Sequence, residues 1–368
     1  MAASVEQQQQ QQAGPAAPGA QQGASIPSLF MFPPMIRDAL ETDSSNVQDD
    51  TVDEVLPFLT GKEHSQLNAH GIPRLDKERH VRFVKKQLGV LPSMYVGADP
   101  SRPWIFYWCL NALSLLGEDL EPYRARLIET VRPIQNKTGG FGGGFGQSSH
   151  LATTYAIVLS LALVGGDEAF EVVDRRSMWK WLCQLKQEDG GFQMAVGGEE
   201  DVRGAYCASV VISLLKLPLD LSSDSPAYAA GHTSLLSGLG EWVRLCQTYE
   251  GGVSANHGVE AHGAYAFCAL GCLSIIDSPH RSIRRYSDAY HTCYVLSGLS
   301  SAQNKWRLVA SRADETLLGD DLWEVLPHTK GEQIFDEDDR IGTIHPVYAI
   351  PQHRVDAIRS YFSSKEGF

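Results

Sequence analysis

Three stretches of this chain are variations on one unit, and that repetition limits the possible folds more than any composition figure. They are GGFGGGFGQSSHLATTYAIVLSLALVGG (139–166), GGFQMAVGGEEDVRGAYCASVVISLL (190–215) and GGVSANHGVEAHGAYAFCALGCLSII (251–276). Each opens with a Gly-Gly pair, continues through a short loop and ends in a small-residue apolar run carrying Tyr155, Tyr206 or Tyr265. Between them stand MWKWLCQLKQ (178–187) and LGEWVRLCQTY (239–249), with apolar residues at the three-and-four spacing of one helix face. The same period begins at LDKERHVRFVKKQLGVL (75–91). The unit is therefore outer helix, Gly-rich loop, inner helix, at roughly 50 residues. Such units cannot bury their apolar faces singly and must stack in a solenoid or closed ring. Period-2 strand patterning is almost absent, which makes the expected class all-α. The Gly-Gly loops lack the Lys-Ser/Thr of a phosphate-binding loop and follow no buried strand, so they read as turns whose glycine takes φ > 0 after each outer helix.

The register of the repeat then breaks. Tyr155 and Tyr206 are 51 residues apart (206 − 155) and Tyr206 and Tyr265 are 59 apart (265 − 206), but Tyr294 follows after only 29 (294 − 265). Arg203, His262 and His291 each precede one of these tyrosines by three residues, one turn away on the same helix face. HTCY (291–294) therefore has the pattern of an inner-helix start, yet SPHRSIRRYSD (278–288) supplies neither a Gly-Gly pair nor an outer helix. About a repeat and a half is expected to be missing near 277–287.

Composition excludes several classes of function. A net charge of −13 and a pI near 5.4 leave no basic face for nucleic acid or an anionic membrane surface. The longest apolar runs, such as YAIVLSLALV (155–164), are about half the length of a bilayer span, so no integral membrane protein is expected. No secretory leader or Arg-rich transit peptide is evident. Seven scattered cysteines without a CxxC pair read as reduced thiols, and the expected location is cytoplasmic. Residues 1–25 read as a disordered Gln/Ala/Pro-rich tail, 26–74 as an N-terminal extension with an apolar patch (IPSLFMFPPMI), and 75–368 as the repeat domain.

DGGFQMAVGGEEDVRGAYCAS and VEAHGAYAFC resemble the beta subunits of protein farnesyltransferase, and the resemblance runs from about residue 75 to 276 and again from about 288 past HPVYAI (345–350). It implies an α-α barrel (toroid) of helix–loop–helix units, here interrupted. It also implies an alpha-subunit partner forming a heterodimer, and transfer of farnesyl from farnesyl diphosphate to the cysteine of a C-terminal CaaX motif. By the resemblance, His262, Gly263, Ala264, Tyr265 and Cys268 belong to the farnesyl diphosphate site, with Arg203 at the cavity wall. Trp104, Tyr155 and Tyr206 line the prenyl pocket, the first two shortening it for a fifteen-carbon chain. His291 resembles one of three zinc ligands. The family's Asp and Cys ligands, and an Arg and a Lys that grip the diphosphate, fall in the segment this chain lacks. Zinc is the cofactor the resemblance implies, one ion per subunit, and it leaves magnesium open.

The chemistry explains why such residues belong together. Zinc deprotonates an acceptor thiol, and an open catalytic site needs about three protein ligands. A leaving diphosphate needs cations, and an isoprenoid needs an apolar pocket, for which Trp108 is a further candidate wall. Asp288 and Cys293 flank His291 without the family's ligand spacing. Each residue also has a plainer reading: aromatic rings at helical spacing form ordinary core, Arg203 pairs with Glu199, Glu200 or Asp201, and His291 is a satisfied polar side chain. Three functional alternatives follow. One is a type I geranylgeranyltransferase beta subunit, which Trp104 and Tyr155 oppose. A second is a catalytically inactive shortened form that only binds the alpha subunit. The third is an unrelated α-α barrel such as a terpene cyclase, which lacks support on the expectation that no Asp-rich cyclase motif such as DxDD or DDxxD is present.

Overall fold

Gly139, Gly190 and Gly251 take φ of 100°, 100° and 92° in the computed structural model, a region that residues with a Cβ rarely enter. The positive φ is the expected one, but its setting differs from a helix cap. Each glycine closes a four-residue turn beyond the outer helix, with Gly139 N–H donating to Asn136 O (2.9 Å), Gly190 to Gln187 O (3.1 Å) and Gly251 to Thr248 O (3.0 Å). Isolated bridges Gln135↔Phe141, Lys186↔Phe192 and Gln247↔Val253 clamp the three turns alike.

The structure describes residues 40–59, 68–69, 74–276, 299–310, 322–329, 333 and 335–365. Tyr294 and the site candidate His291, with Asp288 and Cys293, lie outside them, as do the tail at 1–25 and the apolar patch at 26–36. The chain divides into two compact units, 1–74 with 329–337, and 75–328 with 338–368. In the first, helix α1 spans Asp43–Leu59 and Arg74 pairs with Asp336 at 2.7 Å.

The second unit holds α2 (Lys77–Gln87), α3 (Arg102–Leu115), α4 (Glu121–Val131), α5 (Leu151–Val164), α6 (Arg175–Leu185), α7 (Val202–Leu214), α8 (Leu239–Leu245), α9 (Gly263–Ile275) and α10 (Gln352–Ser363). Helices α3, α5, α7 and α9 pack side by side in sequence order as the inner layer. Their composition suits it: α5 buries every residue but Ala152, which only a helix apolar all round can do. Outer helix α6 instead buries a stripe, Met178, Trp181, Leu182, Cys183 and Leu185.

Successive units lock through the glycine turns. A Cβ on Gly139 would lie 2.1 Å from Ser177 O of α6, and one on Gly190 would lie 2.8 Å from the Gly238 backbone just before α8. Among the described residues the third turn has no such neighbour: a Cβ on Gly251 would meet none of them within 4 Å. Helix α9 correspondingly buries only Ala269, Gly271, Cys272, Leu273 and Ile275, leaving its first turns open.

The class is all-α as expected, with two local additions. Asn304–Ala310 (β1) and Leu322–Pro327 (β2) pair antiparallel, with Trp306 opposite Val325 and Arg307 opposite Glu324. Residues 341–351 then return across the inner layer: Gly342 N–H donates to Leu115 O (2.8 Å), and α10 packs on α5 and α7.

Candidate functional site

Four neighbouring inner helices each contribute one ring to a continuous row. Trp104 on α3 lies 5.7 Å from Tyr155 on α5, Tyr155 lies 5.6 Å from Tyr206 on α7, and Tyr206 lies 5.3 Å from Phe267 on α9 (centroid distances). Trp108 and Tyr107 extend the row along α3, at 5.6 and 6.1 Å from Trp104. Tyr155 and Tyr206 are buried, whereas Trp104 is half-buried and Phe267 exposed. The sequence pattern groups Tyr265 with Tyr155 and Tyr206, but in space Phe267 continues the row. Tyr265 stands instead beside His262, at 5.5 Å. The signal for Phe267 is the helix cap: Tyr155, Tyr206 and Phe267 all sit five residues after the residue that caps their helix.

Those caps form a polar rim one turn from the rings. His150 Nδ1 accepts the Ala152 N–H (3.2 Å), Asp201 Oδ1 accepts the Arg203 N–H (2.8 Å) and His262 Nδ1 accepts the Ala264 N–H (3.1 Å). Each satisfies a backbone donor that the helix leaves open. The rim gathers the positive ends of three helices, where negative charge is favoured. Arg203 is not an unpaired cation: its Nε meets both Asp201 oxygens at 3.0 and 3.1 Å, its Nη2 also contacts Asp201, and Glu199 lies 3.6 Å away. The Asp201 hydrogen bonds hold its pKa above the ordinary guanidinium range, and its outer flank stays exposed. Burial lowers the His150 pKa; with Nδ1 occupied as an acceptor, the neutral ring carries its proton on Nε2, 3.8 Å from Glu199. His262, Gly263 and Ala264 are exposed on the first turn of α9, and Cys268 is half-buried a turn further on.

A second cluster went unnoticed in the sequence. Lys186 is fully buried, donates to Gly190 O (2.5 Å) and lies 4.8 Å from the Phe192 ring centre; burial lowers its pKa to about 7. Glu200 is pushed up to about 7 by burial and by its hydrogen bond to Asp189. Asp189 in turn accepts from Trp242 Nε1 (3.0 Å) and the Gly191 N–H (3.0 Å), tying the second glycine turn to α8. KQEDGGF carries no pattern that would reveal this.

Other candidates hold no site. Contrary to the expectation that no cyclase motif is present, DDTVD (49–53) and DEDD (336–339) have the letters of DDxxD and DxDD, but the first lies mostly exposed on α1. In the second, Asp336 pairs with Arg74 and Asp339 accepts the Leu75 N–H at 3.0 Å. A groove on the outer face of α4 is satisfied within itself, Arg124 pairing with Glu168 (3.3 Å) and Glu121 (3.5 Å). Among the described residues, no group of three or more His, Cys, Asp and Glu side chains is placed to hold a metal ion, and His291 lies outside them. No described helix is long and apolar enough to cross a membrane.

Residues 75–286 and 280–350 match the prenyltransferase alpha-alpha toroid domain. A protein farnesyltransferase subunit beta of Pyricularia oryzae is 43% identical over 446 aligned residues, covering 94% of this chain and 85% of the relative. The chain belongs to the protein farnesyltransferase beta-subunit family. A second family member, the protein farnesyltransferase subunit beta of Schizosaccharomyces pombe, is 36% identical over 230 residues, covering 62% of this chain and 55% of its own length. The chain thus spans about half of that relative. The structure of Candida albicans protein geranylgeranyltransferase-I complexed with GGPP superposes with a TM-score of 0.53, covering 80% of this chain and all of that one, at 18% identity. That likeness concerns the fold alone. The Pyricularia alignment is longer than the chain itself, so at least 78 of its positions (446 − 368) face gaps in this sequence.

Proposed function

We propose that this chain is the prenyl-binding beta subunit of a protein farnesyltransferase, paired with an alpha subunit in the cytoplasm. The observation that carries the reading is the ring row Trp104–Tyr155–Tyr206–Phe267, lying one turn below a rim of capped helix N-termini with Arg203 and His262. An isoprenoid has an apolar tail and a dianionic or trianionic head, and the two layers offer one environment to each. The reaction forms a carbon–sulfur bond between C1 of the farnesyl group and the cysteine sulfur of a CaaX protein, and breaks the bond from C1 to the diphosphate oxygen. The thiol proton leaves to solvent. In this reading the rings exclude water from the tail, while the helix ends and the exposed flank of Arg203 face the departing diphosphate.

Zinc is the family's implied cofactor, and the described residues do not fit it. The chain is read as lacking a segment between Ile276 and His291. The exposed first turn of α9 and the aligned relative's extra positions support that reading. They also favour a second function: a catalytically inactive shortened form that only binds the alpha subunit. Incubating the co-purified pair with labelled farnesyl diphosphate and a CaaX peptide separates the two. Label in the peptide establishes a transferase, an intact pair that leaves the peptide unlabelled establishes the inactive form, and failure of the two chains to co-purify rejects both.

A further inference from the structure

The ring row is held from behind by a strained turn of the C-terminal segment. Tyr206 donates its hydroxyl to Val347 O (2.7 Å), and its oxygen lies 3.5 Å from the Tyr155 hydroxyl. Ala349 O accepts from both the Tyr107 hydroxyl (2.9 Å) and Asn111 Nδ2 (3.1 Å), and Tyr107 packs edge-on to Tyr155 at 5.9 Å. Tyr348 shares a hydrogen bond with Ser213 of α7 (2.7 Å). Three consecutive residues of one turn therefore grip two inner helices, and through Tyr107 and Tyr206 they grip Tyr155 between those helices.

The turn is built to hold that shape. Ala349 has φ 55°, left-handed backbone that a residue with a Cβ seldom adopts unless its surroundings impose it. Its N–H donates to His345 O (3.0 Å), and the His345 N–H donates to Ile350 O (2.9 Å). Buried His345 turns Nδ1 toward the N–H groups of Val347 (3.1 Å) and Tyr348 (3.4 Å). That nitrogen must be unprotonated to accept them: burial keeps the ring neutral, with a pKa of about 3, and the two N–H donors select the tautomer whose proton is on Nε2.

We infer that the Val347–Ala349 turn is a positioning element that fixes the depth of the pocket and so the length of prenyl chain the ring row admits. The inference rests on reading that row as a prenyl pocket. The hydroxyls of Tyr107 and Tyr206 end on turn carbonyls, so Tyr206 cannot swing aside without giving up its bond to Val347 O, and Tyr107 cannot without giving up one of the two donors that Ala349 O receives. If the turn loosens, the rings gain room to rotate and a longer tail fits. A turn that merely stabilised the fold would not affect chain-length preference.

The test uses the full chain co-purified with the alpha subunit and two uncharged probes, farnesol and geranylgeraniol, whose binding needs no diphosphate site. Ser213→Ala and Tyr348→Phe each delete one hydroxyl from the same bond, and Asn111→Ala removes a donor to Ala349 O; none of the three side chains is in the ring row. Leu182→Ala, on outer helix α6, controls for general destabilisation. The unaltered chain is expected to prefer farnesol, and the three turn variants are expected to lose that preference on the order of tenfold, the scale on which apolar pockets sort chains by size. Leu182→Ala should keep the preference at any loss of stability. An unchanged ratio in the folded turn variants, an equal change in Leu182→Ala, or binding of neither alcohol by the unaltered chain overturns the inference. Preference for farnesol with no binding of farnesyl diphosphate would instead remove the farnesyltransferase reading and leave the pinned turn standing.

Discussion

Gly190 and Gly238 meet backbone against backbone, so closely that a Cβ on Gly190 would stand 2.8 Å from the carbonyl carbon of Gly238. The contact joins the second glycine turn to the outer helix of the next unit, and no side chain fits between them. Gly190→Ala should therefore combine backbone strain with a steric clash and cost about 3 kcal/mol or more in urea unfolding. Gly251 occupies the equivalent turn with a φ of 92°, and a Cβ there would meet none of the described residues within 4 Å. Gly251→Ala should cost only the strain, about 1–2 kcal/mol. Equal losses would show that something not described here packs on the third turn.

The Lys186–Glu200 pair predicts an unusual pH profile. Lys186 has its folded pKa lowered from 10.5 to about 7, so the unfolded chain binds the extra proton between those values and stability rises with pH there. Glu200 has its folded pKa raised from 4.5 to about 7, so the folded chain binds the extra proton and stability falls as pH rises from 4.5 toward 7. Their joint contribution has its minimum near pH 7, with limbs no steeper than about 1.4 kcal/mol per pH unit. The difference in unfolding free energy between the unaltered chain and Lys186→Met/Glu200→Gln, measured from pH 5 to pH 10, should show that dip. A flat or monotonic difference would dismiss the assignment.

Asp201 serves two bonds at once, the cap of α7 and the clamp on Arg203. Asp201→Ala should cost about 1–2 kcal/mol through the lost cap. It also frees the guanidinium, so farnesyl diphosphate binding should become more sensitive to salt, as a more exposed charge is more readily screened. A stability loss with unchanged salt dependence would mean that Arg203 makes no contact with the diphosphate.

Trp104 lies 5.7 Å from Tyr155, on the α3 side of the row, and is only half-buried. Trp104→Thr removes a large ring without emptying the core. Geranylgeranyl diphosphate should then bind at least as well as farnesyl diphosphate in a competition assay; an unchanged donor preference would show that Trp104 does not limit the chain.

Much of this was legible in the sequence because the repeat shows itself in two independent ways. Gly139, Gly190 and Gly251 recur where φ must be positive, and the small-residue runs that follow them are apolar on every face, which only an inner helix tolerates. Tyr155 and Tyr206 were legible for the same reason. Phe267 was not, because α9 starts two residues later relative to its GAY motif than α7 does, and the eye follows the tyrosine rather than the cap. The β1–β2 pair was missed because NKWRLVA is too short a run to show its alternation against a helical background. Lys186 and Glu200 look like surface residues in any window, and only the packing of Trp242 and the glycine turn buries them. The role of Val347–Ala349 depends on contacts across more than a hundred residues, which no local pattern encodes.

The central claim is that the ring row and the capped rim together form a site for a farnesyl-sized prenyl diphosphate. Calorimetric titration of the chain, co-purified with the alpha subunit, against farnesyl and geranylgeranyl diphosphate tests it most directly. The account predicts saturable one-to-one binding that favours farnesyl diphosphate and weakens when His262 is changed to Ala. No saturable binding, or a preference for the longer donor, would contradict it.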